Sequence, residues 1–158
     1  SAAEPFLRGH TVCMKFPDTI VYPLNCFEEL YAFHCEKKSD LTLGVFPTID
    51  ARSLGPVVIN QNNKIVRLED KPEKPSVNNT WNVLIWEDSF MDVLMREVEK
   101  FRNDKNINKQ ELKIFNIMLR AIEEELNVNA YLFEEGKCID ISCIQDATVL
   151  WNQQTACS

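Results

Sequence analysis

The sequence predicts an α/β fold with a parallel pair of strands. Two strand-like segments, residues 12–16 and 40–48, flank a helical segment at residues 25–38, and each strand runs into a proline. A strand–helix–strand order implies two parallel strands joined by a crossover connection. The chain of 158 residues has the length of one domain and is long enough to bury a core.

The first strand leads directly to a carboxylate. Apolar and polar residues alternate over residues 12–16, and Pro17 ends the strand because it cannot donate a ladder hydrogen bond. Asp18 therefore follows the carboxyl end of a strand, which is the edge where open α/β sheets bind ligands. A carboxylate there can bind a metal or orient a sugar or phosphate. The alternative is that Asp18 caps a turn, and position alone favours that alternative.

The middle of the chain predicts a helix and a hairpin. Asn25 stands at an N-cap position, with Glu28 at the reciprocal capping position of the helix over residues 25–38. Two apolar runs, residues 57–59 and 65–68, are separated by a polar stretch, which is typical of a hairpin.

The second half predicts a strand and two helices. A proline-rich loop precedes an aromatic-rich strand over residues 80–87, and Ser89 with Asp92 forms a capping pair for a helix over residues 90–101. Apolar residues recur every three or four positions over residues 111–126, which predicts an amphipathic helix.

The last segments predict a hairpin-like strand pair and a helix. The strand pair spans residues 129–141 and turns at Gly136, and the helix opens at Ser142 and runs through Trp151.

Composition excludes several classes of function. The net charge is −7, from 24 acidic and 17 basic residues, so nucleic acid and anionic membrane surfaces are not expected partners. No apolar run reaches the 18 or so residues of a membrane span, and the first ten residues lack signal-peptide order. The six cysteines have no zinc-knuckle spacing and are expected to be free, reduced thiols. These features predict a cytoplasmic protein.

Several short stretches together resemble one family. "FPDTI" at the end of a strand, "DLTLGVFPT", "GPVVINQNNKIVRLEDKP" and "GKCIDISCIQDA" are similar in order and spacing to the sugar nucleotidyltransferases, most closely the glucose-1-phosphate thymidylyltransferase group. The resemblance implies a three-layer, mostly parallel, Rossmann-like sheet of the nucleotidyltransferase type. It also implies an enzyme that joins a nucleoside triphosphate to a sugar 1-phosphate, forms an NDP-sugar, releases pyrophosphate and uses Mg²⁺.

The resemblance assigns roles to particular residues. Asp18 and Asp140 match the two metal-binding aspartates, and Lys71 matches the lysine that neutralises the sugar's phosphate, which makes Asp18 and Lys71 the candidate catalytic residues. Asp70 stands where the family commonly has a glutamate that contacts sugar hydroxyls, and Gly55 matches a glycine whose backbone approaches the sugar. Without the family pattern, Asp140 is better explained as a residue near a helix cap and Lys71 as a solvated lysine.

Other positions depart from the family pattern. Trp81 and Val83 are candidate substrate-binding residues on one strand, and Val83 stands where the family often has glycine. Ser142 and Cys143 replace a glycine and a threonine after the second aspartate. The identities of the sugar and the base therefore stay open.

The family's glycine-rich Gly-Thr-Arg loop, which cradles the triphosphate, has no match in this sequence. The four glycines do not cluster, so residues 1–158 are expected to form one partial domain, N-terminally incomplete and similar to the latter two thirds of the enzyme. Such a chain is not expected to be catalytically competent alone. An uncovered sheet edge is expected either to pair with a missing N-terminal segment or to self-associate. The alternative is a non-catalytic sugar-phosphate-binding or assembly module.

Overall fold

The computed structural model describes residues 3–103 and 111–140. A four-stranded sheet in the order β1-β6-β3-β7 forms its centre, and two two-stranded ribbons, β2-β8 and β4-β5, flank it. The elements in chain order are α1 (Glu4–Leu7), β1 (Val12–Lys15), β2 (Thr19–Tyr22), α2 (Cys26–Lys37), β3 (Leu41–Pro47), β4 (Val57–Ile59), β5 (Ile65–Leu68), β6 (Asn79–Trp86), α3 (Asp88–Asn103), α4 (Ile114–Glu123), β7 (Val128–Leu132) and β8 (Lys137–Asp140).

The central sheet is mixed, and the predicted α/β class is confirmed. Strand β6 runs antiparallel to both β1 and β3, whereas β7 runs parallel to β3. Strands β1 and β3 therefore share a direction, but they are not neighbours because β6 lies between them. The predicted parallel pair is therefore separated by an antiparallel strand, and the expectation of a mostly parallel sheet is corrected to a mixed one. All eight residues of β6 are buried, as expected for a strand with a partner on each side and a layer on each face.

Side chains that alternate along the sheet build two cores on its two faces. One core includes Leu84, Phe90 and Met118 and packs helices α3 and α4 and the β4-β5 ribbon on one face. The other includes Leu30 and Val83 and packs α2 and the β2-β8 ribbon on the opposite face. The result is the three-layer arrangement that the resemblance implied.

Three of the predicted helices form, as α2, α3 and α4, but the Asn25–Glu28 capping pair does not. Asn25 precedes α2 and makes no side-chain cap; its amide donates to Glu29 Oε1 at 2.9 Å. Helix α3 begins at Asp88, two residues earlier than predicted, and α4 occupies the central part of the predicted 111–126 segment.

The predicted hairpin over residues 129–141 is wrong in its pairing. Both strands exist, but β7 pairs with β3, and β8 pairs antiparallel with β2, a strand that the sequence analysis did not identify. The turn between them is tight, because Gly136 donates its N–H to Phe133 O at 2.8 Å. Stacking of Phe133 on Phe46, with ring centroids 4.8 Å apart, holds this turn against the end of β3. The predicted helix from Ser142 to Trp151 lies outside the described residues.

Cys13, Cys26 and Cys35 are free thiols, as the sequence predicts for them. Cys143 and Cys157 lie outside the described residues. Among the helices of the described part, none is long and apolar enough to cross a bilayer.

Candidate active site

The two candidate metal-binding aspartates lie at the same end of the β2-β8 ribbon. Asp18 is exposed and immediately precedes β2, and its Oδ1 accepts a hydrogen bond from Thr19 Oγ1 at 3.4 Å. The ladder pairs Thr19 directly with Asp140. Two residues that are distant in the sequence are therefore neighbours across one antiparallel ladder.

Asp18 carries an exposed carboxylate that could bind a magnesium ion. Mg²⁺ prefers oxygen ligands and is commonly bound by one or two carboxylates together with water and substrate phosphates. Over residues 3–103 and 111–140, no group of three or more histidine, cysteine, aspartate or glutamate side chains is assembled for a metal. A magnesium ion at Asp18 would therefore need further ligands, such as phosphate oxygens and water.

Gly55 packs directly on the indole of Trp81. A Cβ at position 55 would lie 2.4 Å from Trp81 Nε1, and the Gly55 N–H donates to Thr80 Oγ1 at 3.4 Å. Only a residue without a side chain allows this close approach. The loop before β4 is therefore held against the first residues of β6.

A second loop, after β5, is tied to the first one through Lys71. Lys71 has a left-handed backbone with φ of 48°, and its N–H donates to Leu54 O at 2.9 Å. We call residues 54–55 and 70–71 together the paired loops. Because of this bond, Gly55 and the exposed side chains of Asp70 and Lys71 lie in one region.

Lys113 also belongs to this region, although no motif in the sequence indicates it. Its Nζ lies 2.5 Å from Asp70 Oδ2, and the two residues are 43 positions apart. Lys113 is the N-cap residue of α4. No sequence pattern links the start of this helix to the end of β5, so this contact needed the three-dimensional structure.

Glu69 organises the loop that carries Asp70 and Lys71. It is buried and accepts bonds from Ser76 N at 3.0 Å and Ser76 Oγ at 2.5 Å, and it forms an ion pair with Arg67 at 2.7 Å. The two bonds from Ser76, and then the charge of Arg67, hold the pKa of the Glu69 carboxyl below its ordinary value. Glu69 therefore points inward while its neighbours point outward, a division of roles that the "EDKP" motif alone does not show.

The indole of Trp81 lies between Gly55 and Phe16. Its ring lies 5.4 Å from the ring of Phe16, two residues before Asp18. Trp81 is buried, and its Nε1 has no hydrogen-bond partner within the described residues. Asp18 and Gly55 thus flank one aromatic contact at the end of β1.

Val83 lies on the other side of the sheet from Trp81. Gly44 of β3 pairs with Val83 and the next residue, Val45, pairs with Trp81, so Asn82 is an extra residue in β6. Because of this extra residue, the side chains of Trp81 and Val83 point to opposite faces of the sheet. Val83 is completely buried in the core beneath α2. The structure therefore separates these two candidate substrate-binding residues.

A surface cavity of about 810 Å³ lies at the opposite end of the β2-β8 ribbon from Asp18. It is lined by Tyr22, Pro23, Glu29, Ile59, Asn60, Gln61, Asn63, Tyr131, Leu132, Phe133, Glu134, Glu135 and Gly136. Three of these residues are acidic and none is basic, so the cavity is poorly suited to a phosphate. None of the predicted site residues lines it.

Comparison with curated proteins finds relatives among the glucose-1-phosphate adenylyltransferases. The chain is 27% identical over 128 residues to the enzyme of Fusobacterium nucleatum subsp. nucleatum, covering 79% of this chain and 32% of the relative. It is 28% identical over 141 residues to the enzyme of Clostridium novyi, covering 83% of this chain and 32% of the relative. The chain thus spans about a third of the length of these relatives.

Solved structures share the fold at low sequence identity. A crystal structure from Bacillus anthracis, assigned as a glucose-1-phosphate thymidylyltransferase and in complex with a sucrose, superposes with a TM-score of 0.72 at 17% identity. The match covers 94% of this chain and 57% of that one. The inositol-1-phosphate CTP transferase of T. maritima superposes with a TM-score of 0.66 at 15% identity, covering 92% of this chain and 54% of that one.

The model of the nucleotidyl transferase family matches residues 2–151, nearly the whole chain. This match agrees with the curated relatives and with the α/β fold of the structural neighbours. The resemblance drawn from the short motifs is confirmed: the chain belongs to the nucleotidyl transferase family, among the sugar nucleotidyltransferases.

Proposed function

We propose that this chain is the sugar-phosphate- and metal-binding part of a sugar-1-phosphate nucleotidyltransferase. The proposed enzyme joins a nucleoside triphosphate to a sugar 1-phosphate and releases pyrophosphate. One observation supports this most: Trp81, on which Gly55 packs, has its ring 5.4 Å from the ring of Phe16, two residues before Asp18.

In this proposal the paired loops bind the sugar phosphate. The backbone at Gly55 has no side chain to block a sugar ring, and the carboxylate of Asp70 accepts hydrogen bonds from sugar hydroxyls. The ammonium of Lys71 binds the phosphate, a task that suits a compact cation with three donors. The left-handed backbone of Lys71 fixes the direction in which its side chain leaves the loop.

Asp18 and Asp140 would hold a magnesium ion. Bound there, the ion would neutralise phosphate charge during an in-line displacement. The contribution of the chain's own residues is to position the sugar phosphate. Holding two reactants in the correct orientation is a large part of catalysis in phosphoryl and nucleotidyl transfer.

We also propose that this chain alone does not catalyse nucleotidyl transfer. The sequence has four glycines and none of them adjoins another, so it contains no glycine-rich loop to surround a triphosphate. A nucleoside triphosphate needs several backbone donors and cations, whereas a sugar phosphate needs few. The expected property of this chain is therefore sugar-phosphate binding without product formation, in a cytoplasmic protein with reduced thiols.

The test is thermal unfolding of the chain with glucose 1-phosphate and with nucleoside-diphosphate glucose, each with and without Mg²⁺. We expect a Mg²⁺-dependent rise in Tm with nucleoside-diphosphate glucose, and its loss in Asp18→Asn. Lys71→Met should lose the response to glucose 1-phosphate, while Lys74→Met, at another exposed lysine of the same loop, should keep it. Ligand at about 100 times its Kd stabilises by about 2.7 kcal/mol, which a Tm measurement resolves.

Two outcomes would contradict the proposal. If no sugar phosphate or nucleotide sugar raises the Tm of the unmodified chain, the paired loops are not a sugar-phosphate site. If binding occurs equally in Asp18→Asn and without Mg²⁺, the metal assignment fails, and the non-catalytic binding module becomes the better explanation.

A further inference from the structure

Lys113 makes a long-range contact with the paired loops. Its Nζ binds Asp70 Oδ2 at 2.5 Å, so the start of α4 is joined to the loop after β5. Within the described residues, Asp70 makes no other side-chain hydrogen bond or ion pair, so its Oδ1 is left without a partner.

Helix stability does not account for a lysine at this position. N-cap residues are usually those whose side chains accept bonds from the first backbone N–H groups, and Lys113 makes no such cap. A cation at a helix N-terminus also faces the positive end of the helix dipole. The position is therefore unfavourable for the helix by itself, and the contact with Asp70 is the interaction that this side chain makes there.

Overall stability does not account for it either. The side chains of Lys113 and Asp70 are 47% and 32% exposed, and ion pairs in contact with water contribute little to folding free energy. The bond to Asp70 raises the pKa of Lys113. The physical effect of the contact that matters here is that it restricts the orientation of the Asp70 carboxylate.

We propose that Lys113 is a positioning residue, which holds Asp70 by its Oδ2 so that Oδ1 is presented to a hydroxyl group of the sugar phosphate. This inference rests on the proposed function, because it assumes that the paired loops bind a sugar phosphate. Its physical basis is pre-organisation: a carboxylate that is already oriented loses less conformational freedom when the ligand binds.

The experiment is calorimetric titration of the full 158-residue chain with glucose 1-phosphate. Lys113→Met should weaken binding by up to about tenfold, the size expected when binding must immobilise one more side chain. Lys113→Arg, which keeps a cation able to bind a carboxylate, should restore most of the affinity. The control is Arg120→Met, which removes an ion pair with Glu123 on the same helix and should leave the affinity unchanged.

A double-mutant cycle tests whether Lys113 acts through Asp70. In a chain that already carries Asp70→Asn, Lys113→Met should have no further effect on the Kd for glucose 1-phosphate. The Tm of the single variant Lys113→Met should remain close to that of the unmodified chain. If Lys113→Met binds glucose 1-phosphate as tightly as the unmodified chain does, this inference is overturned and the proposed function is left intact. The same holds if Arg120→Met weakens binding as much as Lys113→Met does. No binding of glucose 1-phosphate by the unmodified chain would contradict the proposed function and this inference together.

Discussion

Gly55 approaches Trp81 so closely that a single added methyl group would meet the indole ring. A Cβ there would lie 2.4 Å from Nε1 and 2.9 Å from Cδ1 of Trp81. Because Trp81 is buried and also contacts Phe16, the ring has little room to move. This contact sets the distance between the loop before β4 and the central sheet.

We therefore expect Gly55→Ala to destabilise the chain by about 1–3 kcal/mol, the usual cost of forcing extra volume into a packed site. It should also weaken binding of glucose 1-phosphate, because the loop must move away from β6. Urea unfolding and calorimetric titration measure the two effects. The control is Ser53→Ala in the same loop, where the side chain is exposed and the change should stay within about 0.5 kcal/mol. If Gly55→Ala and Ser53→Ala are equally stable, the indole ring of Trp81 can move aside at little cost in free energy.

Local patterns predict most of the elements, because apolar spacing, aromatic content and turn residues can each be recognised within a short segment. Helices α2, α3 and α4, the β4-β5 ribbon and the aromatic-rich strand β6 all lie where the sequence indicated. Pairing was harder to predict, since it depends on contacts between distant segments. Strand β2 is four residues long, and its partner β8 lies more than a hundred residues later, so neither segment alone indicates the ribbon.

The candidate site was reached through motifs rather than through periodicity. The end of the first strand indicates Asp18, and the family resemblance indicates Gly55, Asp70, Lys71 and Asp140. In the structure Asp140 pairs with Thr19, next to Asp18, and a backbone bond from Lys71 to Leu54 brings the loops of Asp70 and Gly55 together. The extra residue in β6 that turns Val83 away from Trp81 has no signature in the sequence. The contact of Lys113 with Asp70 likewise joins segments that no local pattern relates.

Asn79 fixes β4 to the start of β6 with both ends of its amide. Its Oδ1 accepts from Val57 N at 2.8 Å, and its Nδ2 donates to Val57 O at 2.9 Å. Asn79→Ala would leave two backbone groups without partners, and we expect a loss of about 2–4 kcal/mol in urea unfolding. Asn78→Ala is the control, since that side chain is exposed, and its stability should match that of the unmodified chain. A loss under about 1 kcal/mol in Asn79→Ala would mean that water replaces the amide.

Glu69 should make stability depend on acid pH. The bonds from Ser76 lower the pKa of Glu69 in the folded chain, whereas the unfolded value is about 4.3. The ionised carboxylate therefore stabilises the fold above that unfolded value, and this contribution is lost as the pH falls through the folded-state pKa. Glu69→Gln should be less stable than the unmodified chain near neutral pH, and the difference should shrink as the pH approaches the folded-state pKa.

Urea midpoints measured from neutral pH down to about pH 3 would follow this change in stability. Glu73→Gln provides the matched control, because Glu73 is an exposed glutamate of the same loop. Its midpoints should run parallel to those of the unmodified chain. If the urea midpoints of Glu69→Gln and the unmodified chain differ by the same amount at every pH, the lost stability comes from packing. The charge of the carboxylate is then not involved.

Strand β1 ends the central sheet, and within the described residues its outer edge has no partner strand. Lys15 is exposed on this strand, and charged side chains on edge strands oppose pairing with other chains. We expect weak, concentration-dependent self-association of the unmodified chain in sedimentation velocity, and clearly stronger association of Lys15→Val. Lys74→Val, which places the same substitution in an exposed loop, should behave as the unmodified chain does. If both variants associate to the same extent, the added apolar side chain alone is responsible. If Lys15→Val stays monomeric at every concentration, the β1 edge is already protected against pairing with another chain.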